Sequence, residues 1–282
     1  MLATTNSTST SNSTSNPTSA RLVFERVGHR SVVRSAFATS PLRLLTPRNH
    51  GHAAWAYTSA LGAGLVDGDE LRLEVRVGAG AAAVLATQGE TRVYRSPRGC
   101  SSELFGEVAE GGLLAVLPDP TVCFAGASYR QRTEVRLGSG ASLVLVDVLA
   151  AGRTARGERW AFRRYEGDLI LRQEERRILA ESILLDPEHG PIAERFGRFD
   201  ALCTVLLAGE ALAGARAAIA NELGALPARP RAGRIESANL LGTDSLLLRM
   251  AATSVEDALR AVRERLRFLP ALLGDDPWAR RP

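Results

Sequence analysis

The chain has 282 residues, 45% of them apolar and 23% charged, which are the proportions of a folding globular protein and not of a disordered or fibrous one. Its 35 basic side chains, all arginine, stand against 31 acidic ones for a formal net charge of +4, and they are scattered instead of clustering with aromatics as a nucleic-acid groove requires. Cys100, Cys123 and Cys203 form neither a C-x-x-C pair nor an even set, so neither a disulfide framework nor a structural zinc site is expected, and no window approaches the roughly eighteen apolar residues of a spanning helix.

The first twenty residues are Ser, Thr and Asn with neither the basic start nor the apolar run of a secretory signal, and they read as a disordered tail ahead of a cytoplasmic, soluble protein. Residues 21–282 read as a single β-rich domain, with no Pro/Ser-rich linker to divide it. From Arg21 to about Leu185 short alternating or β-branched runs are punctuated by Gly, Pro and Asp. Three stretches share one plan: a strand ending at Val77, the turn Gly78-Ala79-Gly80, and a strand from Ala81; the same around Glu110-Gly111-Gly112; and again around Gly138-Ser139-Gly140. A turn about every 30 residues suggests stacked supersecondary units, each burying its apolar face on the next. Glycine at these turns is expected to let consecutive strands reverse within two or three residues.

Beyond Asp186-Pro187 the rhythm changes. Residues 210–223 carry the Ala, Leu and Glu of a helix, with Gly224 placed as its C-cap. Ser254 to Asp257 resembles a capping box opening a second helix over 255–268, whose Leu259, Val262, Leu266 and Leu269 fall on one stripe. Between them, 233–240 and 245–251 read as strands. The fold class is therefore mainly β, a coiled or layered array of many strands with two α-helices in the C-terminal part.

Few motifs carry chemistry. Gly78 to Ala83 fits G-x-G-x-x-A, but a strand and not a helix follows, so a turn is the better reading. There is no G-x-x-x-x-G-K-[ST] phosphate loop and no G-x-S-x-G elbow. His50 and His52 are spaced as a metal pair would be on a strand, within a polar loop where solvated histidines are ordinary. Asp67 and Asp119 read as turn caps. Asp147 is different: it ends the apolar run from Leu143 to Val146, and a buried carboxylate needs a partner or a metal, for which Arg153 or Arg156 is available.

Four segments together carry a resemblance. They are Gly64-Leu65-Val66-Asp67-Gly68-Asp69, the run from Thr87 to Ser96, Pro118-Asp119-Pro120-Thr121-Val122-Cys123-Phe124, and Asp147 to Arg153 with Gly157-Glu158-Arg159-Trp160. Over about 41–274 the sequence resembles the urease accessory protein family UreD, called UreH in some organisms, departing from its pattern at Asp67, Arg92 and Cys123. The resemblance implies a spiral of strands with two helices and no catalysis. It implies binding of apo-urease and UreF, the latter recruiting the GTPase UreG, possible pairing of copies through UreF, and nickel passing in transit through a water-filled tunnel with no permanently bound cofactor. Carried over to this chain, the passage residues are Asp69, Asp147 and Glu158, with Arg153 as orienting partner; carboxylates suit the task because oxygen ligands release a divalent ion that thiolates would retain. A carbohydrate-binding or catalytic β-solenoid would require exposed aromatic rows, scarce at 5% aromatics, and a nickel-storage protein is the other alternative.

Overall fold

The computed structural model describes residues 18–48, 51–227 and 231–279. In chain order the elements are β1 (Thr18–Val27), β2 (Arg30–Ala38), β3 (Leu42–Leu45), β4 (Ala54–Ala60), β5 (Glu70–Val77), β6 (Ala82–Thr87), β7 (Thr91–Val93), β8 (Cys100–Val108), β9 (Leu113–Leu117), β10 (Thr121–Cys123), β11 (Ser128–Leu137) and β12 (Ser142–Ala150). They continue with β13 (Arg164–Gln173), β14 (Arg176–Leu185), α1 (Ile192–Phe196), β15 (Ala201–Ala208), α2 (Ala213–Gly224), β16 (Arg234–Leu241), β17 (Ser245–Ala252), α3 (Val255–Arg265) and α4 (Leu269–Leu273). The disordered tail expected over 1–20 lies outside the described residues up to 17, whereas 18–20 are strand: backbone pairing of β1 with β5, Thr18 opposite Leu71, overrides the polar composition.

Among the described residues the strands form a seven-stranded sheet, β14-β13-β11-β8-β5-β1-β2, and a ten-stranded sheet running β16-β17-β15-β12-β9-β6-β4-β3, to which β7 and β10 attach. The glycine turns do not reverse the chain into hairpins as expected. Each is a corner that carries it from the first sheet to the second, so β5, β8 and β11 lie parallel in one sheet and β6, β9 and β12 parallel in the other. The units are thus coils of a β-solenoid of about three turns. A short third wall is made by β7 and β10, paired in parallel. Gly80, Gly111 and Gly140 hold φ of +62°, +61° and +63°, the left-handed conformation that makes the corner. Successive corners are tied: the Gly80 amide donates to Glu110 O at 2.9 Å and the Gly111 amide to Ser139 O at 3.0 Å.

Alternation along the strands then sorts the core. In β12, Leu143 and Leu145 face the first sheet, while Val144, Val146 and Val148 face away toward α3. Burial on both faces is why this strand reads as a continuous apolar run. The layers are therefore sheet, sheet and helices. The expected stripe of the second helix is in place, with Val262, Leu266 and Leu269 buried and Leu259 packed beside them. Ser254 Oγ accepts from the Asp257 amide at 3.1 Å. The other half of the capping box does not form, because the Asp257 carboxylate is taken by Arg234 and Arg260. Gly224 is the last residue of α2 and not a left-handed cap, since Ala225 beyond it is still in the right-handed helical region. Two short helices, α1 and α4, were not visible in the periodicity.

Gly111 has open space around its missing side chain, so only the backbone resists substitution. Gly111→Ala should lower stability by about 1–2 kcal/mol and Gly111→Asn by less, since asparagine tolerates the left-handed region better. Urea midpoints of the two variants check the order.

Candidate functional site

Between the two sheets lie two dry clusters. One, near the glycine corners, includes Leu22, Phe24, Leu114, Leu143 and Leu206. The other, at the opposite end of the strands, includes Cys100, Tyr129, Trp160, Phe162 and Tyr165. The inward positions between them mix polar side chains, Thr58, Thr87, Gln131, Thr133 and Asp147 among them, with leucines such as Leu71, Leu104 and Leu169, and there a cavity of about 440 Å³ opens. It far exceeds the roughly 10–15 Å³ that one water needs, and with these walls it is suited to hold water.

The parallel register makes the lining continuous. In the first sheet Ser102, Gln131, Gly167 and Ile183 stand side by side on β8, β11, β13 and β14, and next to them run Leu104, Thr133, Leu169 and Glu181. In the second, Thr58 lies beside Thr87, and Asp147 beside Thr204. All of these line the cavity. Because the rows cross the strands, the polar band runs along the solenoid axis. At one end it is bordered by the exposed Gly62, Gln88, Glu90 and Arg92; at the other it reaches Glu181.

Asp147 is the single half-buried position in the otherwise buried β12, and its exposure is to the cavity. Its partner is not an arginine. Gln131 Nε2 donates to Asp147 Oδ1 at 3.1 Å, while the Gln131 amide oxygen accepts from Thr121 Oγ1 at 3.5 Å. Strand alternation explains the correction: Asp147 points between the sheets, whereas Arg153 and Arg156 belong to the turn that follows β12. Enclosure by protein raises the Asp147 carboxyl above its ordinary value, the Gln131 hydrogen bond opposes this, and the charge of Glu181 adds to it.

The structure does not bring Asp69 and Glu158 to Asp147; neither lines the cavity. Asp69 Oδ2 accepts from the Val66 amide at 2.8 Å and so closes the turn before β5. Glu158 is clasped by Arg153, whose Nε donates to Glu158 Oε2 at 2.8 Å, and it also accepts from the Ala125 amide at 3.1 Å. The Arg153 guanidinium also lies 4.1 Å from the Phe124 ring centre. These bonds hold the Glu158 carboxyl below its usual value, the Arg153 bond contributing most. The tight loop needs glycine at 152, where φ is +106° and a Cβ would stand 2.5 Å from Glu158 O. Arg159 pairs with Asp200 and the Trp160 indole donates to Phe199 O at 3.0 Å, which pins the loop to the segment after α1.

Asp67 is not a local turn cap, since it takes the Arg98 amide at 2.7 Å and Nε at 2.8 Å. Asp119 joins two coils, its Oδ2 accepting from Thr87 Oγ1 at 3.2 Å and from the Gly89 amide at 3.0 Å. His50 lies outside the described residues, and His52 Nε2 bonds Leu272 O at 3.0 Å. Among the described residues no three His, Cys, Asp or Glu side chains gather as a ligand set.

A family model described as UreD urease accessory protein matches residues 16–282. A urease accessory protein UreD of Sorangium cellulosum is 50% identical over 266 residues, covering 93% of this chain and 84% of that relative. One of an Anaeromyxobacter species is 43% identical, over 94% of this chain and 89% of its own. A urease accessory protein D of Arabidopsis thaliana is 30% identical, over 93% and 99%.

The raised carboxyl sets a sign. The unfolded chain ionises Asp147 near 3.8 while the folded chain keeps its proton to higher pH, so Asp147 favours the folded state below that value and loses this contribution as pH rises through its folded pKa. Asp147→Asn should therefore gain stability relative to the wild type on going from about pH 3.5 to about pH 7, a span that brackets the titration of a carboxyl raised from its ordinary value. Paired urea titrations at several pH values check it; a difference that does not change with pH refutes it.

Proposed function

The chain belongs to the UreD family of urease accessory proteins, and on that footing we propose that it is a non-catalytic conduit, docked to apo-urease and UreF, that passes nickel along its polar band. That its relatives are named urease accessory proteins supports a role in urease maturation, and an accessory role implies no catalysis of its own. The observation that carries the finer reading is the cavity: polar residues of both sheets face it in register and one enclosed carboxyl, Asp147, lies on its wall.

The chemistry fits a cargo that has to leave again. A divalent ion entering the band meets hydroxyl, amide and carboxyl oxygens, which bind nickel more weakly than thiolates or grouped imidazoles. Asp147 rests with its proton retained to higher pH than usual; an arriving cation favours the ionised form, and the proton passes to water in the cavity. Gln131 keeps the carboxyl turned to the band. In the same reading Asp69 and Glu158 are contacts at the margins, each already holding a turn.

Partner binding has its own support. Apolar side chains stand exposed on sheet edges, Phe37 on β2 and Ile235 and Leu240 on β16. Exposed apolar edges are costly in a chain that works alone and useful in one that works docked. UreG is expected to join through UreF. Among the described residues no helix is long and apolar enough to cross a membrane.

In cells that express a urease and its accessory proteins, Asp147→Ala should leave co-purification with UreF and urease intact while the urease loses most of its activity and bound nickel. Asp69→Ala and Glu158→Ala should lower activity less, in proportion to the loosening of their turns. Full activation by Asp147→Ala refutes the conduit, and failure of the wild-type chain to co-purify with urease and UreF refutes the docking.

A further inference from the structure

The polar band ends at a contact between the two sheets. Glu181 is on β14, the edge strand of the seven-stranded sheet, and Arg249 is on β17 of the other. Arg249 Nε donates to Glu181 Oε1 at 2.7 Å, so one ion pair spans the gap where the sheets come together. Glu181 lines the cavity and Arg249 does not, which puts the glutamate on the inside of the contact and the arginine on the outside. Register agrees. Asp147, Thr204 and Arg249 are successive neighbours across β12, β15 and β17, so Arg249 is the next position outward after two that face the cavity.

The pair is only half complete. Glu181 Oε2 is buried and has no hydrogen-bond partner. A planar guanidinium usually takes both oxygens of a carboxylate, and a buried oxygen without a donor is unfavourable. The Arg249 side chain is 50% exposed against 22% for Glu181, so a second carboxylate arriving from outside can reach the arginine without displacing anything else. Such a contact is also weak enough to exchange, because pairs open to solvent contribute little.

We propose that the Arg249–Glu181 pair is the gate at the far end of the band, opened when a carboxylate of a docked protein partner takes the Arg249 guanidinium. This rests on the conduit reading above and gives that passage its regulation. With Arg249 in place the exit is blocked by a side chain and its last carboxylate is neutralised. With Arg249 drawn outward, Glu181 presents a free carboxylate to the cation at the point where it leaves, and a positive charge no longer stands in its way. The partner that opens the gate is thereby the one positioned to receive the ion.

The gate can be read without nickel. A thiol placed at the inner face by Thr204→Cys is labelled in the full chain with a small cationic methanethiosulfonate, against a background in which Cys100, Cys123 and Cys203 are buried. Replacing Arg249 by Met, which keeps the stem and removes the fork, should raise the labelling rate about two- to fivefold, the scale of one weak ion pair. Arg249→Lys should return it toward the starting rate. A thiol at Thr58→Cys, toward the opposite end of the band, should label at the same rate whether residue 249 is Arg or Met. Soluble polyglutamate, standing in for the partner's carboxylates, should speed labelling at Thr204→Cys with Arg249 and not with Arg249→Met. Equal rates at Thr204→Cys in the two backgrounds overturn the gate, as does a rise at both thiol positions, which marks general loosening. No effect of polyglutamate overturns the carboxylate trigger. None of these outcomes bears on whether Asp147→Ala blocks activation, so gate and conduit fail separately.

Discussion

Parallel stacking is the constraint on which the rest of this molecule depends. When coils of about 30 residues stack in parallel register, a given position in one coil lies beside the equivalent position in the next, so a property repeated once per coil becomes a row through the whole solenoid. The rows near the corners repeat Leu and Val and make a dry core. Farther from the corners the rows take up polar groups among the leucines, with Thr58 beside Thr87 in one sheet and Ser102 beside Gln131 in the other. No single coil encloses the cavity. The band exists because the register carries small polar groups from coil to coil, and Gly167 continues it on β13 by adding no bulk beside Gln131.

The outer helices serve the same end. A sheet whose inner face is partly polar cannot hold its place by that face alone, and here the second sheet is anchored from behind. Trp55, Val84, Ala115, Val146, Val205 and Leu248 turn outward from it against Ala258, Val262 and Leu266. Arg265 fixes the arrangement. Only 7% exposed, it bonds Glu236 on β16 through Nε at 2.8 Å and Glu222 on α2 through a terminal nitrogen at 2.9 Å. Buried pairs of this kind specify position more than they add stability, and position is what a cavity between two sheets requires. In a chain without lysine, arginine's several donors let one side chain hold a strand and two helices.

The sequence made the strands, the corners and the C-terminal helices legible because each has a local signature: alternation, glycine spacing, or helical periodicity. The wrong step was topological. A strand, a glycine turn and a strand look the same whether the second strand folds back on the first or crosses to another sheet, and only the partners of each strand decide. The site divided along the same line. Asp147 stood out because a lone acid in an apolar run needs a reason. Gln131, Thr204 and Glu181 did not, since each sits in a strand of ordinary polarity and gains meaning only from the residue beside it on a strand far away in sequence. Arg153 was offered to Asp147 but bonds Glu158, five residues on, because sequence proximity says nothing about which side of a strand a residue faces.

The placement of sulfur fits the proposed route, on which a metal ion must not be retained. Cys203 is beside Asp147's strand, in register with Val148, yet it faces the helices. Cys100 and Cys123 belong to the dry cluster beyond the band. Burial pushes the Cys100 thiol up to about 11 and the other two higher still, so all three stay protonated near neutrality. A thiol that keeps its proton and faces a dry core offers no thiolate to a nickel ion, whereas the same residue one position along its strand would face the band. Strand alternation thus separates soft donors from oxygen donors by a single residue, and the interior that results can touch a divalent cation with oxygen alone.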